Sequence, residues 1–499
     1  MLDAPNCMYL GTLWSFGDRS PSLGQISAAG TLLKHHHLFF NGYPVANVLN
    51  VRYINAMDVK TINHLLAEGN IDRDDMWPRI VEMESKAHQF RFEFGLNELP
   101  KEPGLIIIRG PRQYGKSTWL DMNLRWSAEK FGKGSSYYLN GDEIATADEL
   151  ASELTSLYAS FSRSAGIKRL FIDEITAVPG WEKAVKRVVD QGLLRDVLTI
   201  TTGSKASDLR HGSERLPGRK GKLPKNEYIF LPISYREFGL NAREVHGEKS
   251  WIAYLLTGGS PVACNDISQF ERLPEYFIQI VRDWVLGEVI SSGRSRLALT
   301  QLLHVIMNNG GNSVGFAKLA RDGGLANNTV ASGYIEQLSD LLSVMPSWPI
   351  ETNKKTVLMR KPCKFHFINL AVAIAFHPSS LRYVHEFESL SPNMQGVFME
   401  WLVAQEIWRR SVLGGSSNPE AIGYWASKEH EIDFVTPEKE FIEVKRGKAS
   451  PIDFAWFSKV FPRDHLTVIC NSPFTSKQVT GVTIEEFLLS APTSLTYSK

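Results

Sequence analysis

Cysteine is scarce in this chain: Cys7, Cys264, Cys363 and Cys470 are spread over 499 residues. They share no paired metal spacing and are too few for a disulfide framework, which fits a reducing, cytoplasmic setting. Net charge is nearly absent as well, +1 from 55 basic and 54 acidic side chains. Such a balance excludes a globally basic nucleic-acid coat and leaves only local patches for that role. Long apolar runs are missing too, since charge interrupts each one before it could span a bilayer. The opening Met-Leu-Asp-Ala-Pro-Asn has neither the basic region nor the apolar core of a secretion signal. A cytoplasmic protein without membrane contact is expected. With 43% hydrophobic and 22% charged residues the composition is that of globular domains, and the length suggests three or four of them.

Against this plain background one segment stands out. Gly110-Pro-Arg-Gln-Tyr-Gly115-Lys116-Ser117 directly follows the apolar run Leu105-Ile-Ile-Ile108. A buried strand, a glycine-rich turn and a helix are the context in which such a loop binds phosphate. Gly110 and Gly115 let the backbone fold round the phosphates, Lys116 can reach the β/γ-phosphates, and Ser117 can ligate Mg²⁺. Thr118 completes the set, and ATP with Mg²⁺ is the expected ligand.

A second strand, Lys168-Arg-Leu-Phe-Ile, ends in Asp173 and Glu174. Asp173 would hold the metal through water and Glu174 would orient and polarise the attacking water. A third run, Val197 to Thr202, leads into Gly203-Ser204, so Ser204 or Thr202 could sit beside the γ-phosphate or simply cap the next helix. Arg210, Arg215 and Arg219 come next. Presented to a neighbouring subunit, Arg215 or Arg219 would act as a finger, which implies a homo-oligomer built through this domain.

Strands at 105–109, 136–140, 168–173, 197–202 and 227–231 alternate with helical patterns, and alternation of this kind gives a parallel sheet covered on both faces. The fold class is therefore α/β. Residues 1–75 have no clear role, and the adjacent His35, His36 and His37 point in different directions on any regular element, against a metal site. The ATPase domain is placed at 76–245. A helical and winged-helix region follows at 246–384, and a last α/β domain at 385–499. Within the middle region, 316–322, a Gly323-Gly324 turn and 327–338 read as helix-turn-helix, with Asn328 as cap and Val330, Tyr334, Ile335, Leu338, Leu341 and Leu342 on the core face. The opposite face carries Ser332, Glu336, Gln337 and Asp340 and no basic residue, which favours packing or partner binding over DNA reading.

Near the C-terminus, 431–435 and 441–445 alternate like two strands of a hairpin. A five-residue loop puts Val435 opposite Phe441 and Asp433 opposite Glu443, with Lys445 on the same acidic face. Two opposed carboxylates repel, and a divalent cation would resolve this. Glu400, on the amphipathic helix around 396–407, is the preferred third carboxylate, with Glu406 second. Ser450-Pro451 opens a helix and 466–470 forms a strand.

Taken together, these motifs resemble prokaryotic ATP-binding proteins that join an AAA-type ATPase to a C-terminal PD-(D/E)XK nuclease-like domain. The likeness rests on 109–118, Phe171-Ile-Asp-Glu-Ile175, Pro179-Gly-Trp181, Thr202-Gly-Ser204 and Leu231-Pro-Ile-Ser-Tyr-Arg-Glu-Phe238. Gly258-Gly-Ser-Pro261, the helix at 396–410 and the Asp433/Glu443/Lys445 hairpin complete it. The resemblance implies an AAA-like sheet, a winged-helix middle and a restriction-endonuclease-like end. Tyr114, where the family more often has a small aliphatic residue, is expected to leave phosphate binding unaffected. The expected activity is an ATP-driven switch controlling Mg²⁺-dependent cleavage of nucleic acid, DNA before RNA, at Asp433, Glu443 and Lys445. Defence against foreign DNA would be a fitting setting. The other reading is a nucleotide-dependent scaffold that docks a partner or nucleic acid without cleavage.

Overall fold

A computed structural model of the chain describes residues 57–203, 209, 212–353, 356–416, 419 and 421–490, together with the antiparallel pair Phe39–Phe40 and Tyr43–Pro44. That antiparallel pair belongs to one unit and the described residues from 57 onward to another. His35, His36 and His37 lie outside the described residues, as do Ser204 and Arg210.

Uninterrupted apolar runs make strands that need cover on both faces. β1 (Gly104–Arg109) is such a run: Ile106 and Ile108 enter one buried cluster, Leu105 and Ile107 another. Its sheet adds β2 (Ser136–Asn140), β3 (Lys168–Asp173), β4 (Val197–Gly203) and β5 (Glu227–Ile229). The order is β2-β3-β4-β1-β5, every pairing parallel, so the loops that carry function gather at one end. Helices α1 (Val59–Glu68), α2 (Pro78–Glu84), α3 (Lys116–Phe131), α4 (Ala147–Ser160), α5 (Trp181–Asp190) and α6 (Tyr235–His246) accompany it. Asp58 caps α1 by accepting from the Thr61 N–H at 2.9 Å. On that helix Asn63 donates to the Tyr138 carbonyl at 2.7 Å and accepts from its N–H at 2.8 Å, closing the open side of edge strand β2. From residue 59 onward, the region expected to end at 75 thus belongs to this sheet.

The middle is helical: α7 (Ser250–Thr257), α8 (Pro261–Phe270), α9 (Glu275–Ser291), α10 (Arg296–Asn308), α11 (Phe316–Asp322) and α12 (Asn328–Asp340). The cap of α12 is Asn327, not Asn328: its backbone is extended and its side chain accepts from the Val330 N–H at 3.0 Å. Tyr334, Ile335 and Leu338 are buried as the spacing predicts, while Leu341 and Leu342 are buried beyond the helix end. Two residues placed on the open face are not free there. Gln337 donates to the Glu288 carbonyl of α9 at 3.0 Å, and Asp340 is buried.

Next come β6 (Val344–Pro349), β7 (Lys364–Phe367), α13 (Leu370–Phe376), α14 (Val384–Glu388) and α15 (Pro392–Leu413). They are followed by β8 (Gly423–Ala426), β9 (Glu431–Val435), β10 (Phe441–Val444), α16 (Phe457–Val460), β11 (Leu466–Ile469), β12 (Phe474–Thr475), β13 (Val479–Val482) and α17 (Ile484–Leu489). These strands make one mixed sheet in the order β12-β13-β11-β10-β9-β8-β6-β7. The pair β6–β7 is not a free wing, because β6 also pairs parallel with β8 through Trp348 and Gly423. The sheet therefore runs across the division expected at 384/385. It also curls strongly: His366 on the edge strand β7 stands against Phe434 on β9, ring centroids 4.9 Å apart, although two strands separate them in the order.

Candidate functional site

The turn from β1 to α3 is shaped by two close approaches. A Cβ on Gly110 would meet the Cβ and carbonyl oxygen of Phe230 at 2.7 and 2.9 Å. Gly115 has φ +94° and lies where a Cβ would meet the Phe92 ring at 2.7 Å. Lys116 is buried, and its ammonium donates to the carbonyls of Gly110 and Pro111 at 2.9 and 2.7 Å. Burial lowers its pKa to about 8, with Glu174 and Asp173 acting against that.

Asp173 ends β3, buried beneath this loop. Its Oδ1 accepts from Ser117 Oγ at 3.1 Å and from Thr202 Oγ1 at 2.5 Å. Thr202 also accepts from the Glu174 N–H at 3.2 Å, so it orients both acids. Glu174 adopts φ +48°, and its carbonyl fills the place that a Cβ on Gly141 would take. Strain of this kind at a polar residue on a cleft is a mark of functional positioning. Ser117 and Asp173 offer a hydroxyl and a carboxylate oxygen close enough together to fit one hard divalent cation. Thr118, on the first turn of α3, lines the same cleft.

This cleft has a volume of about 480 Å³, within the range of small-molecule sites. Met83, Phe90, Phe92, Pro261 and Val262 also line it and give an apolar wall suited to a flat base. Of these only Pro261 belongs to a motif quoted from the sequence. Two further residues escaped the sequence reading. Asp121 sits one turn after Ser117 on α3, a spacing that could have revealed it. Arg79 on α2 bridges it to Asp173, with Nη1 3.3 Å from Asp121 Oδ2 and 3.2 Å from Asp173 Oδ2. Burial works against the charge of Arg79, but Asp121 and Asp173 among its neighbours raise its pKa.

Residues 102–239 match the family model described as AAA domain. This part of the chain is a P-loop AAA-type ATPase domain. Over 422 residues the chain is 24% identical to the uncharacterized protein MJ1544 of Methanocaldococcus jannaschii, covering 78% of this chain and 85% of that one. Among solved structures, the Walker-type ATPase PABY2304 of Pyrococcus abyssi aligns at 14% identity and TM-score 0.39, covering 61% of this chain and 97% of that chain. The ORC1 protein of Aeropyrum pernix, solved in complex with DNA, aligns at 16% identity and TM-score 0.31, covering 66% and 94%. Among the described residues no helix is long and apolar enough to cross a membrane.

The ATPase domain touches the rest of the chain through Tyr114. This residue is buried, and its hydroxyl donates to Asn369 Oδ1 at 2.9 Å and to the Gly258 carbonyl at 3.2 Å. Asn369 directly precedes α13, and the first N–H of α13, on Leu370, donates to Gln405 of α15 at 3.0 Å. Tyr114 is thus a joint between the phosphate loop and the C-terminal half.

Arg215 and Arg219 meet acids of α5: Arg215 lies 2.9 Å from Glu182, and Arg219 Nε 2.8 Å from Asp190. Neither lines the cleft of its own chain.

The C-terminal constellation comes together in space. Phe434 pairs with Ile442 and Val435 with Phe441, so Asp433 and Glu443 lie opposite each other as the loop length predicts. Their oxygens are held by nitrogen donors: Lys364 Nζ is 3.0 Å from Asp433 Oδ1, and the Val444 N–H donates to Oδ2 at 2.9 Å. The Asp433 N–H donates to Glu443 Oε2 at 3.1 Å, and Lys445 pairs with Oε1. Lys364, buried on β7, also pairs with Glu431. No sequence signal pointed to it. Glu400 stands near these acids, half-buried, with its buried Oε2 lacking a hydrogen-bond partner; desolvation first, then Asp433, pushes its pKa well above the carboxylate range. Burial, reinforced by Asp433, raises Glu443 to about 8. The second choice, Glu406, is buried between Arg409 and Arg410 at 2.8 and 2.7 Å, a structural pairing. Among the described residues no group of three or more metal-ligating side chains is arranged to hold an ion. In this arrangement the lysines occupy the role expected of a cation, so the fit to a metal is poor.

Proposed function

We propose that this chain hydrolyses ATP in the cleft and transmits the change to its C-terminal half. The observation that carries this is the convergence of Lys116, Ser117, Asp173 and Glu174 on one cleft that also has an apolar wall for a base. Lys116 and the loop N–H groups bind and orient the phosphates. Bound at Ser117 and Asp173, Mg²⁺ supplies charge neutralisation at the phosphate oxygens. Glu174 accepts the proton as the water oxygen bonds to the γ-phosphorus. The bond from that phosphorus to the bridging oxygen breaks and ADP leaves with its electrons. Thr202 keeps both acids in place through the hydrogen bonds described. Phosphate release by purified protein tests this, with Lys116→Ala and Glu174→Gln as controls. Turnover equal to wild type in both variants would contradict it.

For the C-terminal half, docking of a partner or nucleic acid without cleavage is the reading the geometry favours, because Lys364 and Lys445 already neutralise Asp433 and Glu443. Cleavage of DNA is the second reading. The opposed pair Asp433 and Glu443, with Lys445 beside them and the unpartnered oxygen of Glu400 close by, favours it. Oligonucleotide degradation with Mn²⁺ that disappears in Asp433→Ala would decide for cleavage, and no degradation would decide for docking.

A further inference from the structure

We infer that Arg79 is the arginine that offsets charge on the transferring γ-phosphoryl group, supplied by the same chain that binds the nucleotide. The inference rests on the ATPase reading of the cleft. Charge moves onto the phosphate oxygens as the bond to ADP breaks, and a guanidinium at that point stabilises it. Arg215 and Arg219, the residues a sequence reading would choose, are paired with Glu182 and Asp190. Arg79 by contrast already lines the nucleotide cleft together with Lys116, Ser117 and Glu174.

Its position is specific. Nη1 lies 3.2 Å from Asp173 Oδ2, the carboxylate whose other oxygen accepts from Ser117. It therefore stands beside the oxygens at which a Mg²⁺–phosphate group would be held. Nη1 makes the contacts to both acids, and the guanidinium also hydrogen-bonds the Tyr138 side chain, which fixes its place at the cleft. The side chain remains 42% exposed, whereas Asp173 is 3% exposed. Asp121 acts as the anchor: it keeps the guanidinium at the cleft when Asp173 turns to the metal. A second subunit is then unnecessary for this charge.

Arg79→Ala alone would leave Asp121 and Asp173 as neighbouring buried carboxylates, and that could impair folding. The experiment therefore uses Arg79→Ala/Asp121→Asn beside Arg79→Ala, Arg79→Lys and Arg215→Ala. ATP turnover and KM are measured over a tenfold range of protein concentration. The expected result is a loss in kcat of about 100-fold or more in both Arg79→Ala proteins, with KM for ATP changed less than about threefold. Arg79→Lys regains only a small part, because it restores charge without the planar fork. Arg215→Ala turns over like wild type, and the wild-type rate per chain is constant with concentration. A folded Arg79→Ala/Asp121→Asn protein with wild-type kcat overturns the inference. So does a rate per chain that rises with concentration and collapses in Arg215→Ala. Wild-type protein that never hydrolyses ATP would instead overturn the ATPase reading, and this inference with it.

Discussion

The chain solves one electrostatic problem twice, in opposite ways. In the ATPase domain Asp173 and Glu174 border a cleft, and Arg79, which pairs Asp173 with the buried Asp121, is partly open to solvent. In the C-terminal half Asp433, Glu443 and Glu400 are as crowded, but the cation is Lys364, 2% exposed and paired with two acids. The first cluster is left with room for a ligand to complete it. The second is completed from within. Clustered carboxylates alone therefore do not announce a metal site; what separates the two clusters is whether a cleft beside the acids leaves room for a ligand or lysines already pair with their oxygens.

One charge in each cluster is where this difference can be broken most forcefully. Glu174→Gln should lower ATP turnover by about 10²- to 10⁴-fold while leaving ATP binding intact, as judged by filter binding or calorimetry. Lys364→Met should leave Asp433 and Glu431 without their cation and cost about 3–5 kcal/mol of stability, read from denaturant unfolding. The same loss should be partly recovered by added Mn²⁺ only if the emptied site can take a metal, which makes the variant a direct probe of what the lysine replaces. Lys116→Ala should weaken ATP by roughly 100-fold, about 3 kcal/mol, since it removes a charged donor from the phosphates. The smallest effect is expected at the joint. Tyr114→Phe removes the hydrogen bond to Asn369 at a cost of about 1 kcal/mol, and it should reduce any ATP-induced change in proteolysis of the C-terminal half.

What could be read in advance was what is local. The five strands of the ATPase sheet follow short stretches rich in apolar and β-branched residues, and their observed limits lie within two residues of those expected. Counting a five-residue loop was enough to place Asp433 opposite Glu443, because hairpin register depends only on that loop. Arg79, Lys364 and Tyr114 were hidden because their partners are far away in the chain, at Asp173, Asp433 and Asn369. No periodicity links such positions. The shared sheet escaped for the same reason: β6 meets β8 through Trp348 and Gly423, a pairing that neither strand's own sequence specifies. Asp340, read as solvated from helical spacing, is buried because the chain packs other elements over that face.

One titration tests the contrast between the two acidic clusters most directly. Mn²⁺ binding is measured by calorimetry on wild type, Lys116→Ala and Asp433→Ala, each with and without a non-hydrolysable ATP analogue. The expected outcome is one ion per chain, bound only with the nucleotide, lost in Lys116→Ala and kept in Asp433→Ala. Uptake of Mn²⁺ without nucleotide that vanishes in Asp433→Ala would contradict it.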